Sequence, residues 1–236
     1  MPINESETTE SSVARLNARP GLQHHSGGPG LQQISMGQKR GALLYAPESA
    51  LKESRAPLAV MLHGAGGNAE HGMDILRTYA DGAKLILLAP ESRKASWDII
   101  SDARYGPDVR FIDKCLRDVF AQFAIDPRRI ALGGFSDGAS YALSLGLSNG
   151  LLFRTLLAFS PGFMAPVRIE GEPRIFISHG TKDEILPVDV CGRRVQRALR
   201  VHRQLVVEYQ EFEGPHTVPP RMKEAALRFF LGEESF

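Results

Sequence analysis

Seven short apolar runs, each bounded by turn residues and separated by helix-like stretches, constrain this chain more than any other feature. They are GALLYAP (41–47), PLAVMLHG (57–64), KLILLAP (84–90), RIALGGFS (129–136), TLLAFSP (155–161), RIFISHG (174–180) and LVVEYQEF (205–212). Alternation of this kind marks repeated βα units. Several runs are apolar almost throughout, as strands are when helices cover both faces. The expectation is an α/β fold around a buried, mostly parallel central sheet. The intervening stretches agree with it: Val109, Ile112, Leu116, Phe120 and Phe123 recur at helical spacing, with Asp-Pro closing that unit, and SYALSLGLSNG ends in an Asn-Gly stop. There is no internal repeat and no second compositional block. With 236 residues, 43% of them hydrophobic, the chain can bury one sizeable core.

Residues 1–36 read as a flexible polar N-terminal segment and 37–236 as the folded domain. The segment is rich in Ser, Thr, Glu and Gly and poor in large apolar groups, so it gains little to offset the entropy of ordering. It has no apolar signal-peptide core, and no later stretch reaches the ~18 apolar residues of a membrane span. The expectation is a cytoplasmic protein with no stable membrane insertion. The adjacent His24 and His25 could bind a metal but read as solvated, so no metal is expected. Basic and acidic side chains number 28 and 27, a balance that provides no field for nucleic acid or an anionic surface. The expected partner is a small molecule, with a homodimer left open. Cys115 and Cys191 lack metal or redox spacing and read as free thiols.

Gly134-Phe135-Ser136-Asp137-Gly138 matches G-x-S-x-G where a strand must turn into a helix. A nucleophile elbow needs that context: small flanking residues permit a sharp turn that presents the serine above the sheet, over a helix N-terminus. The competing reading is a tight βα turn whose glycines allow close packing. In an elbow hydrolase an acid and then a histidine follow, each just beyond a strand. Asp183 and His216 fill those positions. Glu184 competes with Asp183 as the acid, and Asp189 is a more distant choice. His63 and His179 come too early in the order, and His202 falls in a charged helical stretch. HGAGGN (63–68) follows an earlier strand where an oxyanion loop belongs, making the amides of Ala65 and Asp137 the natural donors. The Asp137 side chain reads as structural, favourable at a helix N-terminus. The glycines of that run could also form a phosphate loop, but it lacks the following Lys-Ser/Thr.

These residues resemble the α/β-hydrolase superfamily and, within it, the carboxylesterase, phospholipase and acyl-protein thioesterase family of small serine hydrolases. LHGAGGN, GGFSDGAS, FSPGF, SHGTKDEILP and GPHTVPP carry the resemblance, in that order, over roughly residues 37–236. It implies an α/β-hydrolase fold and a catalytic triad of Ser136, Asp183 and His216, with Ala65 and Asp137 as amide donors. It further implies two-step acyl transfer without a cofactor. Family members often continue the elbow as G-F-S-Q-G, where this chain has Asp137. The expected substrates are short- to medium-chain carboxylic esters. An acyl thioesterase or lysophospholipase is the alternative within the chemistry, and a non-catalytic hydrolase-fold binding protein the alternative outside it. Trp97 and Asp98 either line the substrate groove or tuck against the domain, and Phe163 and Met164 either form an acyl wall or pack in the core. RRVQRALRVHR (193–203) reads as an amphipathic helix with a solvated arginine face. Nothing between 159 and 174 has room for a cap domain, so an open cleft is expected.

Overall fold

Period-two alternation sends successive strand residues to opposite faces of a sheet, and here each face has its own core. The computed structural model describes residues 14–21, 26–35 and 40–232. Its strands form one sheet ordered β1-β2-β4-β3-β5-β6-β7-β8. They are β1 (Gly30–Ile34), β2 (Ala42–Ala46), β3 (Ala56–Leu62), β4 (Ile86–Pro90), β5 (Ile125–Phe135), β6 (Thr155–Phe159), β7 (Arg174–Gly180) and β8 (Val207–Phe212). β1 runs antiparallel to β2 and β2 to β4, while all other pairs are parallel.

Leu58, Val60, Leu62, Leu88, Leu132, Leu156 and Ile177 face one core. There they meet α4 (Pro107–Gln122), α5 (Asp137–Leu147) and α6 (Gly192–Arg200). The alternate residues Ala59, Met61, Leu87, Ala131, Leu157 and Phe176 face the other core, against α2 (Ala69–Met73) and α7 (Pro220–Leu231). Burying each large apolar side chain stabilises by about 1.5–3 kcal/mol. Two further single-turn α-helices among the described residues are α1 (Glu48–Leu51) and α3 (Asp98–Ser101).

The chain leaves β3 for β4 on one side, then returns past β3 to add β5 on the other. Loops leaving β3 and β5 therefore diverge at their C-terminal ends, where open α/β sheets form crevices. That places residues 63–68 beside Ser136.

Within the expected flexible segment 1–36, the described residues 14–18 and 30–34 belong to the folded domain. Ala14, Leu16 and Ala18 are buried in the first core. The backbone there is held by side chains of the domain: the Leu16 N–H donates to Asn149 Oδ1 and Asn149 Nδ2 donates to Ala14 O, at 2.9 and 2.8 Å. Asp113 Oδ1 accepts the N–H groups of Asn17 and Ala18 at 2.6 and 2.7 Å. Further along, Gly30–Ile34 forms the edge strand β1. His24 and His25 lie outside the described residues. A correction concerns Asp126-Pro127, which does not precede β5 but lies in its irregular start, where the register against β3 shifts between Ala56 and Leu58.

Residues 160–173 join β6 to β7 without a helix or strand of their own. Three serines spaced one turn apart on α5 and its C-terminus pin this connection. The hydroxyls of Ser140, Ser144 and Ser148 each donate to the carbonyl four residues back. Each also accepts an N–H of the connection, from Gly162, Ala165 and Val167 at 2.9, 2.8 and 3.1 Å. No helix among the described residues is long and apolar enough to cross a membrane.

Candidate active site

Ser136 caps α5 with φ 59° and ψ −120°, a conformation rare for a residue with a side chain. Its N–H donates to Phe159 O at 2.9 Å. Two glycines make the turn fit. A Cβ on Gly134 would stand 2.6 Å from the Gly138 backbone, and one on Gly138 would stand 2.3 Å from Leu62 O. The G-x-S-x-G spacing thus lets β5, the start of α5 and the end of β3 pack backbone to backbone.

Three chain segments then converge. Ser136 Oγ is 2.9 Å from His216 Nε2, and His216 Nδ1 is 2.6 Å from Asp183 Oδ2. The Asp183 side chain is wholly buried and that of His216 partly so, with its ring against Phe135 at a centroid distance of 4.6 Å. The other carboxylate oxygen of Asp183 accepts the N–H groups of Ile185 and Leu186 at 3.0 and 2.8 Å. Of the three candidate acids Asp183 is the one at the imidazole. Glu184 is exposed, and Asp189 pairs with Arg193 at 2.7 Å.

The HGAGGN loop lies against the serine: a Cβ on Gly64 would be 3.3 Å from Ser136 Cβ. Gly66 and Gly67 donate their N–H groups to Ala95 O and Gly64 O, whereas Ala65 and Asp137 are not among the loop and cap amides with a backbone acceptor. Ala65 is exposed, and Asp137 is the first residue of α5, where an N–H has no intrahelical partner. His63 braces the loop from below. It accepts the Ser92 N–H on Nε2 at 3.0 Å, so the proton sits on Nδ1, which donates to Gly64 O at 2.7 Å. Burial pushes its pKa down, which keeps this neutral tautomer.

Trp97 does not line a groove. Its side chain is fully buried, stacked on Tyr141 at 5.1 Å, and its indole N–H donates to His63 O at 2.9 Å. Asp98 is buried too, and its Oδ2 accepts the N–H groups of Gly106 and Asp108. Asp108 returns the favour by accepting the N–H groups of Asp98 and Arg93. Burial raises the pKa of both, that of Asp108 to about 6. The reciprocal cap fixes the segment from which Ser96 Oγ donates to Asp137 Oδ2 at 2.5 Å. These supports were missed in the sequence because each contact joins residues far apart along the chain. The one available signal was the pair of carboxylates flanking a Gly-Pro helix start.

Phe163 is partly exposed and Met164 packs partly against the first core. Both line a cavity of about 190 Å³ with Gly162, Arg194, Val195 and Ala198. Ser136 is not in its lining, but Gly162 is tied to Ser140, one helical turn from Ser136. The arginine face of α6 is not uniformly solvated, since Arg193 makes a two-pronged contact with Glu211 at 2.7 Å.

The strand order, the helices on both faces and the serine turn at the end of β5 define an α/β-hydrolase fold. Solved structures share it. An S-formylglutathione hydrolase from Agrobacterium tumefaciens superposes with TM-score 0.67 at 14% identity, covering 88% of this chain and 98% of that one. A phospholipase/carboxylesterase from Dyadobacter fermentans gives 0.62 at 20% identity over 86% and 99%. In sequence, a probable feruloyl esterase C from Aspergillus oryzae is 29% identical over 156 residues, covering 62% of this chain and 56% of that protein. The chain thus spans about half the length of the curated relatives it matches. Residues 101–231 match the phospholipase/carboxylesterase family, and the chain belongs to it.

Proposed function

We propose that this chain hydrolyses carboxylic esters through an acyl-enzyme on Ser136. The unbroken relay from Ser136 Oγ through His216 to buried Asp183 carries this reading. A carboxylate at Nδ1 holds the proton there, which leaves the Nε2 lone pair facing the serine hydroxyl. His216 takes the Ser136 proton as Oγ attacks the ester carbonyl, and the imidazolium is stabilised by Asp183. The amides of Ala65 and Asp137 stabilise the tetrahedral oxyanion. His216 returns its proton to the departing alcohol, and water repeats the sequence on the acyl-enzyme.

The acyl group proposed is short to medium. Residues 160–173 join β6 to β7 without a helix or strand that could enclose a longer chain. The name of the A. oryzae relative favours oxyesters as the first substrates to try. The test is Ser136→Ala, which should abolish ester turnover and covalent labelling by a fluorophosphonate while the protein stays folded. Turnover at the wild-type rate would refute the reading.

A further inference from the structure

The Asp183 carboxylate has one neighbour more than the relay requires. Its Oδ2 faces two imidazoles, His216 Nδ1 at 2.6 Å and His179 Nε2 at 3.3 Å. His179 stands near the end of β7 and is wholly buried. Its Nε2 also lies 2.7 Å from Leu186 O, in the turn that supplies two N–H donors to the other oxygen of Asp183. A carbonyl oxygen can only accept, so Nε2 carries the proton. Nδ1 has no hydrogen-bond partner among the described residues, and Gly192 closes over that edge, where a Cβ would stand 2.5 Å from Nδ1.

The titratable and charged groups around His179 come from four segments. They are Asp183 in the turn after β7, Glu211 and Tyr209 on β8, His216 beyond β8, and Cys191 and Arg193 at the start of α6. Tyr209 and Arg193 both bond to Glu211, which leaves Asp183 as the carboxylate within reach of His179. Burial lowers the pKa of His179, in keeping with a neutral imidazole.

We propose that His179 is a positioning residue whose single N–H, donated to Leu186 O and held 3.3 Å from Asp183 Oδ2, fixes the acid turn and tunes the basicity of His216. The inference rests on the proposed roles of Asp183 and His216. The positive end of the Nε2–H dipole, 3.3 Å from Oδ2, offsets part of the negative charge on the oxygen that His216 uses. Without it that charge acts on His216 alone, and the imidazolium is held to higher pH.

The experiment follows the His216 ring titration by NMR, alongside kcat/KM against pH, in wild type, His179→Leu and His179→Gln. His179→Leu should move both titrations up by about 0.5–1 pH unit, with kcat reduced and KM little changed. His179→Gln, whose amide N–H reaches the Nε2 position, should restore both. A His216 titration in His179→Leu that coincides with wild type overturns the proposal. Should His179→Leu fail to fold, His179→Asn serves in its place: its amide reaches only the Nδ1 position, so it must show the same upward shift, and a wild-type titration overturns the proposal equally. Turnover retained in Ser136→Ala would refute the catalytic reading instead, and the NMR titration would still report on His179.

Discussion

Replacing Ser144 by alanine sets two physical effects against each other. Ser144 lies within α5, where alanine is the better helix former by about 0.5 kcal/mol, so helix propensity alone predicts a gain. Its buried hydroxyl, however, is the acceptor for the Ala165 N–H at 2.8 Å and donates to Ser140 O at 2.7 Å. Removing it leaves that N–H without a partner, which costs about 1–3 kcal/mol when the group is cut off from water. Ala165 is itself exposed, so water reaches part of the way and the lower half of that range applies. The net expectation for Ser144→Ala is a loss of about 0.5–1.5 kcal/mol. That lowers the melting temperature by roughly 1–6 °C for a chain of this size. Adding Ser148→Ala should lower the midpoint further, because its bond to the Val167 N–H is lost as well. Urea unfolding monitored by circular dichroism measures the change, and amide exchange at Ala165 should accelerate in the single variant. An unchanged or raised midpoint would mean that helix propensity prevails and that the serine ladder does not hold the connection.

Further outcomes follow from the same contacts. Asp183→Asn should lower kcat by about 10⁴, as expected when the histidine tautomer is lost, whereas Glu184→Gln should change it little; steady-state assays on a soluble ester decide, and the reverse order would transfer the role to Glu184. Leu16→Ala should cost about 2 kcal/mol or more in urea unfolding, because a fully buried leucine is truncated, and no change would mean that residues 14–18 contribute nothing to stability. His63 has a pKa lowered on folding, so the unfolded chain binds the extra proton below about pH 6.5. Its contribution to stability is therefore present above that pH and is lost as pH falls from there through the folded value. The unfolding midpoint of His63→Gln should vary less steeply between about pH 7 and 5 than that of wild type, and equal slopes would refute the buried neutral imidazole.

The central parallel strands β3, β4 and β6 were legible because they are apolar on both faces, a signal that survives without knowing their neighbours. β1 was not, because GLQQI is a partly exposed edge strand: Leu31 points to solvent and the pairing with β2 is made by backbone groups. The buried arm at 14–18 was hidden for a related reason. Its anchors are the side chains of Asn149 and Asp113, about a hundred residues or more away, acting on main-chain groups that any sequence possesses. The positions of Ser136, Asp183 and His216 could be read because chain order and strand ends limit where such groups fall. Trp97 could not be assigned, since groove and core ask for the same side chain. His179 was set aside on chain order, and only the fold reveals that its imidazole lies beneath the acid.

The backbone crossing at Gly134, Gly138 and Leu62 also determines where this molecule can absorb inherited change. Any side chain at either glycine meets main-chain atoms at 2.6 Å or closer, and main chain cannot rotate aside. No compensating substitution nearby can make that room, so drift at the crossing is blocked in both directions. The connection at 160–173 is different in kind, since its ties to α5 run through main-chain N–H groups and leave its exposed side chains, such as Phe163 and Val167, outside those ties. Phe163 and Val167 can therefore be exchanged while the path of the chain is kept. Change should accumulate there first, in descendants or in a selected library, while the serine turn passes unaltered from one variant to the next.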